Sequence, residues 1–341
     1  MQSEVENAGV SRVETGELSM SAPGENNLKK ARAFLSKYGI YFAFLLLTAI
    51  LSVISPPFLT PSNIINILRQ ISVNGIIAVG MTLVIITAGI DLSVGSLVAL
   101  SAVVATSFAH PGTYPLIVPV AFGLLAGLVC GVINGVLVAK NRLAPFIVTL
   151  GMMTAARGAA LVYTNGRPVI NLSDSYDQIG GGYFLGIPLP VIIFLVVVLF
   201  GVFILHYTRF GRYVYAVGGN ELAAKVSGIN TDRVLIAVYA ITGALAGLAG
   251  IDLSSRVMSA SPAIGEGYEL DAIAAVVIGG TSLMGGVGTI AGTVVGALII
   301  GVMNNGLDML NVSSYWQAIV KGLIIVLAVL LDRKSKKGIL S

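Results

Sequence analysis

From residue 38 to residue 331 the chain is one apolar run after another, ten in all, with short breaks between them. The runs cover 38–55, 63–88, 92–110, 115–139, 146–163, 187–206, 233–254, 270–284, 288–306 and 315–331. Most are close to the ~20 residues that an α-helix needs to cross ~30 Å of hydrocarbon. Backbone in lipid has no water to bond to, so each run must satisfy its own N–H and C=O groups as a helix. The expectation is an all-α polytopic membrane protein of about ten transmembrane helices. Composition agrees: 56% of residues are hydrophobic and 11% charged, too few to coat a soluble globule. A soluble enzyme, a disordered chain and a disulfide scaffold are excluded. The eighth run has 15 residues, about 22 Å of helix. It must be tilted, broken or re-entrant, and covered by protein.

The basic residues orient the runs. With ten crossings, 15 of the 20 Lys and Arg fall on the side of the chain termini, in the tail, the 140–145 and 207–232 loops and the end, or at its edge. Only Arg167 and Arg256 fall on the other side. The positive-inside rule then makes both termini cytoplasmic, in a bacterial inner membrane. The expected organisation is a polar cytoplasmic tail over 1–37 and a membrane domain over 38–331. Within the latter lies a cytoplasmic loop, 207–233, and a basic cytoplasmic end follows over 332–341. The basic residues are scattered in short loops, so nucleic acid is not an expected partner, whereas membrane lipid is.

Reactive chemistry is sparse. Cys130 is alone in an apolar run, His110 and His206 lie far apart, and no spacing suggests a metal site. No phosphate-binding loop is present, so no enzyme activity and no bound cofactor are expected of this chain. Asp91 sits where it would cap the helix that follows. Arg157 lies inside its run without an acid beside it, which points to snorkelling or to backbone carbonyls. Asp252, Glu266, Glu269 and Asp271 are expected near the outer face with no buried partner. Glycines recur at spacing four, at Gly123, Gly127, Gly131 and Gly135 and at Gly243 and Gly247. Such stripes let helix backbones approach closely, for static packing or for sliding.

The 207–233 loop holds a short helix of about two turns. Asn220 is a good N-cap. Glu221 and Lys225 match the helix dipole and Gly228 is a suitable stop. Leu222 and Val226, with Ala224 between them, give the helix one apolar edge, and Arg212 precedes it. That edge suits a groove on another protein, or the chain's own membrane domain.

Four stretches resemble the signatures of sugar ABC-importer permeases of the ribose type: Val73 to Ser96, Val162 to Val169, Gly218 to Ile229 and Gly267 to Thr289. The resemblance spans about residues 38–334 and departs at the acidic N-terminal tail. It implies a permease subunit of an ATP-driven importer that moves a small neutral sugar, ribose foremost, into the cytoplasm. Another pentose, a hexose or a nucleoside is the alternative cargo, and an ATP-independent secondary carrier the alternative class. The implied partners are a second permease copy, a cytoplasmic ABC ATPase that uses ATP and magnesium, and an extracytoplasmic sugar-binding protein. The resemblance also points the 220–228 helix at the ATPase groove. A neutral polyol needs hydrogen-bonding groups but no counter-charge. Asn74, Ser93, Asn134, Asn304 and Asn305 are therefore candidates for the path, with interhelical hydrogen bonding as their alternative role. The outer loops 164–186 and 255–269, carrying Arg167, Asp174, Asp177, Arg256, Glu266 and Glu269, are the candidate docking surface for the binding protein.

Overall fold

The computed structural model describes the backbone of residues 23–337 and the side chains of residues 39–327. By its contacts the chain divides into residues 1–39 and residues 40–341, and the helical bundle belongs to the second unit. The elements are α1 (Pro23–Ile54), a 3₁₀ turn (Pro56–Leu59), α2 (Pro61–Ile86), α3 (Val94–Ser107), α4 (Ile117–Ala139) and α5 (Pro145–Thr164). Then come α6 (Asp174–Gly181), β1 (Tyr183–Phe184), β2 (Ile187–Pro188), α7 (Leu189–Tyr207), α8 (Arg209–Gly219) and α9 (Glu221–Val226). The chain continues as α10 (Thr231–Val257), α11 (Tyr268–Ile278), α12 (Ile290–Met309) and α13 (Ser314–Lys337).

Six of these helices, α2, α4, α5, α7, α10 and α12, are long and apolar enough to cross a membrane. Three further apolar stretches are shorter: Gly39–Ile54, Val94–Ser107 and Ser314–Leu327. Proline opens α2 and α5 in the first turn, where its missing N–H costs nothing. Asn165, with φ 51, stops α5 in the left-handed region that asparagine tolerates.

The eighth run is a broken span, one of the forms its length required. Helix α11 ends at Ile278, about 16 Å long, and residues 279–289 are not helical before α12 begins. The third run is likewise a 14-residue helix preceded by an irregular segment at 87–93. The fold is all-α as expected, apart from one small antiparallel hairpin in which β1 and β2 pair with Tyr183 opposite Pro188. The 207–233 segment contains two helices, α8 and α9, where one was expected. Residues 23–37, the described part of the expected polar tail, are helical, residues 1–22 and 338–341 lie outside the described residues, and α13 continues into the expected basic end.

Helix α10 is the hub, packed on α2, α3, α4 and α6. Its contact with α4 is glycine on glycine. A methyl group at Gly127 would collide with the carbonyl of Gly243, and one at Gly131 with the carbonyl of Tyr239. Lipid tails are as apolar as leucine, so helix association rests on van der Waals contact, which this close approach maximises. The stripes are packing surfaces in this structure. Asp252 and Asp271, expected near the outer face without buried partners, are in fact buried. Lys321 of α13 lies 2.9 Å from Asp271 Oδ1, and Asn304 donates to Asp271 Oδ2 at 3.1 Å. Proximity to the end of an apolar run misleads here because residues 164–188 fold over the Asp252 end of α10, while Asn304 of α12 and Lys321 of α13 close on Asp271. Val169 bridges Ala260, and Tyr176 packs fully buried against α10, its hydroxyl 2.8 Å from Ser254 Oγ.

Candidate functional site

The bundle has two ends. One carries the β-hairpin, α6 and the 258–267 segment. The other carries α8, α9, the 140–144 loop and the two breaks at 87–93 and 279–289. The second is the candidate coupling site.

Thr208 caps α8 by accepting from Gly211 N at 3.1 Å. Helix α8 buries Gly211, Val214, Val217 and Gly218 and leaves Arg212 exposed. Gly218 lies against the carbonyl of Ile86 so closely that no side chain could stand there. The same carbonyl accepts from Gly286 N at 2.8 Å. One point of contact thus joins the end of α2, the 279–289 break and the end of α8. Tyr215 reinforces it by donating its hydroxyl to the carbonyl of Gly288 at 2.7 Å. Burial pushes that phenol above its usual range, so it stays protonated and keeps donating.

Helix α9 is capped at both ends by local chemistry. Asn220 Oδ1 accepts from Ala223 N at 2.9 Å. Gly228, with φ +84, closes the C-terminus, with Ile229 N donating to Ala224 O and Gly228 N to Lys225 O. This is a Schellman motif, in which the left-handed position favours glycine. Ala224 is buried against the body of the protein, while Leu222 is 77% exposed and Val226 89% exposed. The apolar edge therefore faces outward, away from the chain's own membrane domain.

Sequence reasoning missed the clamp that holds α9. Arg142, in the 140–144 loop, donates to Glu221 at 2.6 Å and to Asp232 at 2.8 Å. Thr231 also donates to Glu221, at 3.3 Å. The opposite charges of these loops were a usable signal, but their pairing is long-range.

The five candidate path residues are all buried. Asn134 donates to Ser93 Oγ at 3.0 Å, and Ser93 donates through its backbone N–H and hydroxyl to Asp91 Oδ1. Asp91 thus bridges the break before α3, although the N-cap position itself is Ser93. Asn304 is engaged by Asp271, and Asn305 exchanges amide hydrogen bonds with Asn63 at 2.9 and 3.0 Å. Asn74 Oδ1 has no hydrogen-bond partner among the described residues. Arg157 does take backbone carbonyls, those of Pro262 at 2.6 Å and Ile264 at 3.0 Å.

The candidate docking residues share the hairpin end. Arg167, Asp174 and Glu266 are exposed, while Asp177, Arg256 and Glu269 are half-buried. The hairpin is tied to the body by Arg69, which donates to the carbonyl of Gly181 at 3.2 Å and stands 4.9 Å over the Tyr183 ring. No group of three or more His, Cys, Asp or Glu side chains is placed to hold a metal among the described residues.

Residues 63–329 match the family model described as "Branched-chain amino acid transport system / permease component". The chain is 52% identical over 302 residues to the "Ribose import permease protein RbsC" of Bacillus subtilis, covering 88% of this chain and 94% of that protein. It is 52% identical over 309 residues to the protein of the same name from Escherichia coli K12, covering 89% and 96%. It is 42% identical over 305 residues to the "D-allose transport system permease protein AlsC" of Escherichia coli K12, covering 89% and 94%. No solved structure gives a significant match.

Proposed function

The chain belongs to the branched-chain amino acid transport system / permease component family and, within it, to the ribose-type sugar permeases, and from that premise we infer that it is the membrane-spanning subunit of an ATP-driven ribose importer. The observation that carries the reading is 52% identity to ribose permeases over nearly nine-tenths of the chain. The exposed apolar edge of α9 supports it, because an importer subunit without a phosphate loop needs a surface on which an ATPase can act. In this reading both termini and the α8–α9 end face the cytoplasm, and the hairpin end faces the binding protein. Arg167, Asp174 and Glu266 lie open there, where rim charges set encounter rate more than affinity. The ATPase uses ATP and magnesium, and two copies of this chain offer it two α9 helices.

Leu222 and Val226 of α9 seat in the ATPase. Closure of the nucleotide domains displaces α9, and the Arg142 clamp and the Gly218 contact carry the displacement to the breaks in the 87–93 and 279–289 segments. Such breaks are where packed helices can take two arrangements and switch access. Identity to the D-allose permease supports a second reading in which the cargo is another neutral sugar. Family membership argues against the ATP-independent carrier. The test is uptake of labelled ribose and allose by cells lacking this protein, with and without its restoration. Ribose uptake should return with the chain and require the ATPase. Return of allose uptake alone would move the cargo, and uptake without the ATPase would overturn the reading.

A further inference from the structure

Among the six long apolar helices, α4, α5 and α7 bury the least of themselves in this chain. Helices α4 and α7 turn large side chains outward, including Phe122, Leu125 and Val129 on the first and Leu195, Leu199 and Phe203 on the second. Those are faces for lipid. Helix α5 is the least apolar of the six. Along its middle turns it exposes Gly151, Thr154, Ala155 and Ala159, with Arg157 and Gly158 half-open. Small and polar groups gain nothing from hydrocarbon, and a guanidinium there is costly. Exposed apolar side chains, Phe146 and Ile147 at one end and Leu161 and Val162 at the other, flank this stretch, and only the middle turns are suited to something other than lipid.

The same face opens on a cavity of about 580 Å³. Its polar lining is Ser96 of α3, Thr154 and Arg157 of α5, Glu266 and Glu269, with Gly158 and apolar neighbours completing the wall. The volume lies within the roughly 300–1,000 Å³ of small-molecule sites. The guanidinium is held in place, because Arg157 Nη1 donates to two carbonyls of the 258–267 segment. Both bonds run from Nη1, which leaves the Nη2 and Nε hydrogens to donate elsewhere. The Glu269 carboxylate lies against Gly95, where any side chain would collide with it. Asn74, Ser93, Asn134, Asn304 and Asn305 all lie outside this lining.

We propose that this cavity is a weak binding waypoint for a neutral polyhydroxylated solute, with α5 as one wall of the solute path. A sugar hydroxyl both donates and accepts. Arg157 supplies fixed donors, Glu266 and Glu269 supply acceptors, and Ser96 and Thr154 supply either. Two carboxylates against one guanidinium repel an anion, so a phosphorylated sugar is excluded while a neutral one is not. The cavity is open on one side, which lets the solute leave, as a path requires. The proposal rests on the reading of the chain as a sugar permease and assigns where in it the sugar is met.

The experiment uses the complete transporter in proteoliposomes, with Cys130→Ala as background. Thr154→Cys and Gly158→Cys are treated with a water-soluble maleimide, with Leu199→Cys on α7 as the lipid-facing reference. Labelling at 154 and 158 should run at least tenfold faster than at 199, and excess transported sugar should slow it severalfold. Thr154→Val, which removes a cavity hydroxyl at a residue outside the docking surface, should raise the KM for uptake without changing association with the ATPase. Labelling at 154 and 158 as slow as at 199, or labelling that ribose, allose and xylose all leave unchanged, would overturn the proposal. Protection by allose or xylose but not ribose would uphold the waypoint and count instead against ribose as cargo.

Discussion

Replacing Leu222 by aspartate separates docking from folding more cleanly than any other change in α9. The side chain is 77% exposed and touches little of its own protein, so its loss removes no internal packing. It sits in the second position after the Asn220 cap, where a carboxylate suits the helix dipole, so α9 itself should be unharmed. The effect therefore falls on the partner. Fully burying a leucine contributes about 1.5–3 kcal/mol, so covering the open 77% contributes about 1–2 kcal/mol. Forcing a carboxylate into the same groove adds at least about 2 kcal/mol of desolvation. Together these give about 3–4 kcal/mol, a loss of two to three powers of ten in ATPase affinity at about 1.4 kcal/mol per tenfold. Expected outcomes are normal membrane insertion, an unchanged melting temperature, loss of the ATPase on co-purification and loss of uptake. Binding of the ATPase at the wild-type level by the Leu222→Asp protein would refute the assignment of this edge as the docking surface.

Arg142→Ala breaks two ion pairs whose partners are both substantially open, so it should cost at most about 1 kcal/mol of stability. It should loosen ATPase binding by up to about tenfold, and the charge swap Arg142→Glu with Glu221→Arg should recover part of it in a binding titration. Lys321→Met strands the buried Asp271 carboxylate and should cost about 3–5 kcal/mol. A thermal melt in detergent should show most of that loss recovered when Asp271→Asn is added, since Asn304 still has a partner. Gly131→Leu drives a side chain into the α10 backbone at Tyr239, for which no rotamer offers escape, and should lower the melting temperature sharply. Gly322→Ala on α13, where an added methyl meets nothing within 4 Å, should add about 0.4–1 kcal/mol of stability and raise the melting temperature slightly.

What could be read from the sequence was whatever chemistry is local. Run length and the placement of basic residues demanded a polytopic helical protein, because lipid leaves the backbone no other way to satisfy itself. The caps of α9 were legible because Asn220 acts on a backbone group three residues on and Gly228 on its own dihedral angles. The shortness of the eighth run announced a broken span, since rise per residue is fixed. Tertiary structure decided everything that depends on which face of a helix meets which neighbour. A carboxylate near the end of a run can lie in water or under a fold of loop, and Asp271 found Lys321 fifty residues away. An asparagine in a run can line a path or bond its neighbour, and Asn134 met Ser93 only because α4 packs on α3. Arg142 could not be assigned to α9 until the 140–144 loop was seen beside Glu221. The small-residue stripes looked alike in sequence. The one on α4 is pressed into α10 while Gly151 and Gly158 on α5 stand open, because burial depends on long-range packing that spacing alone does not encode.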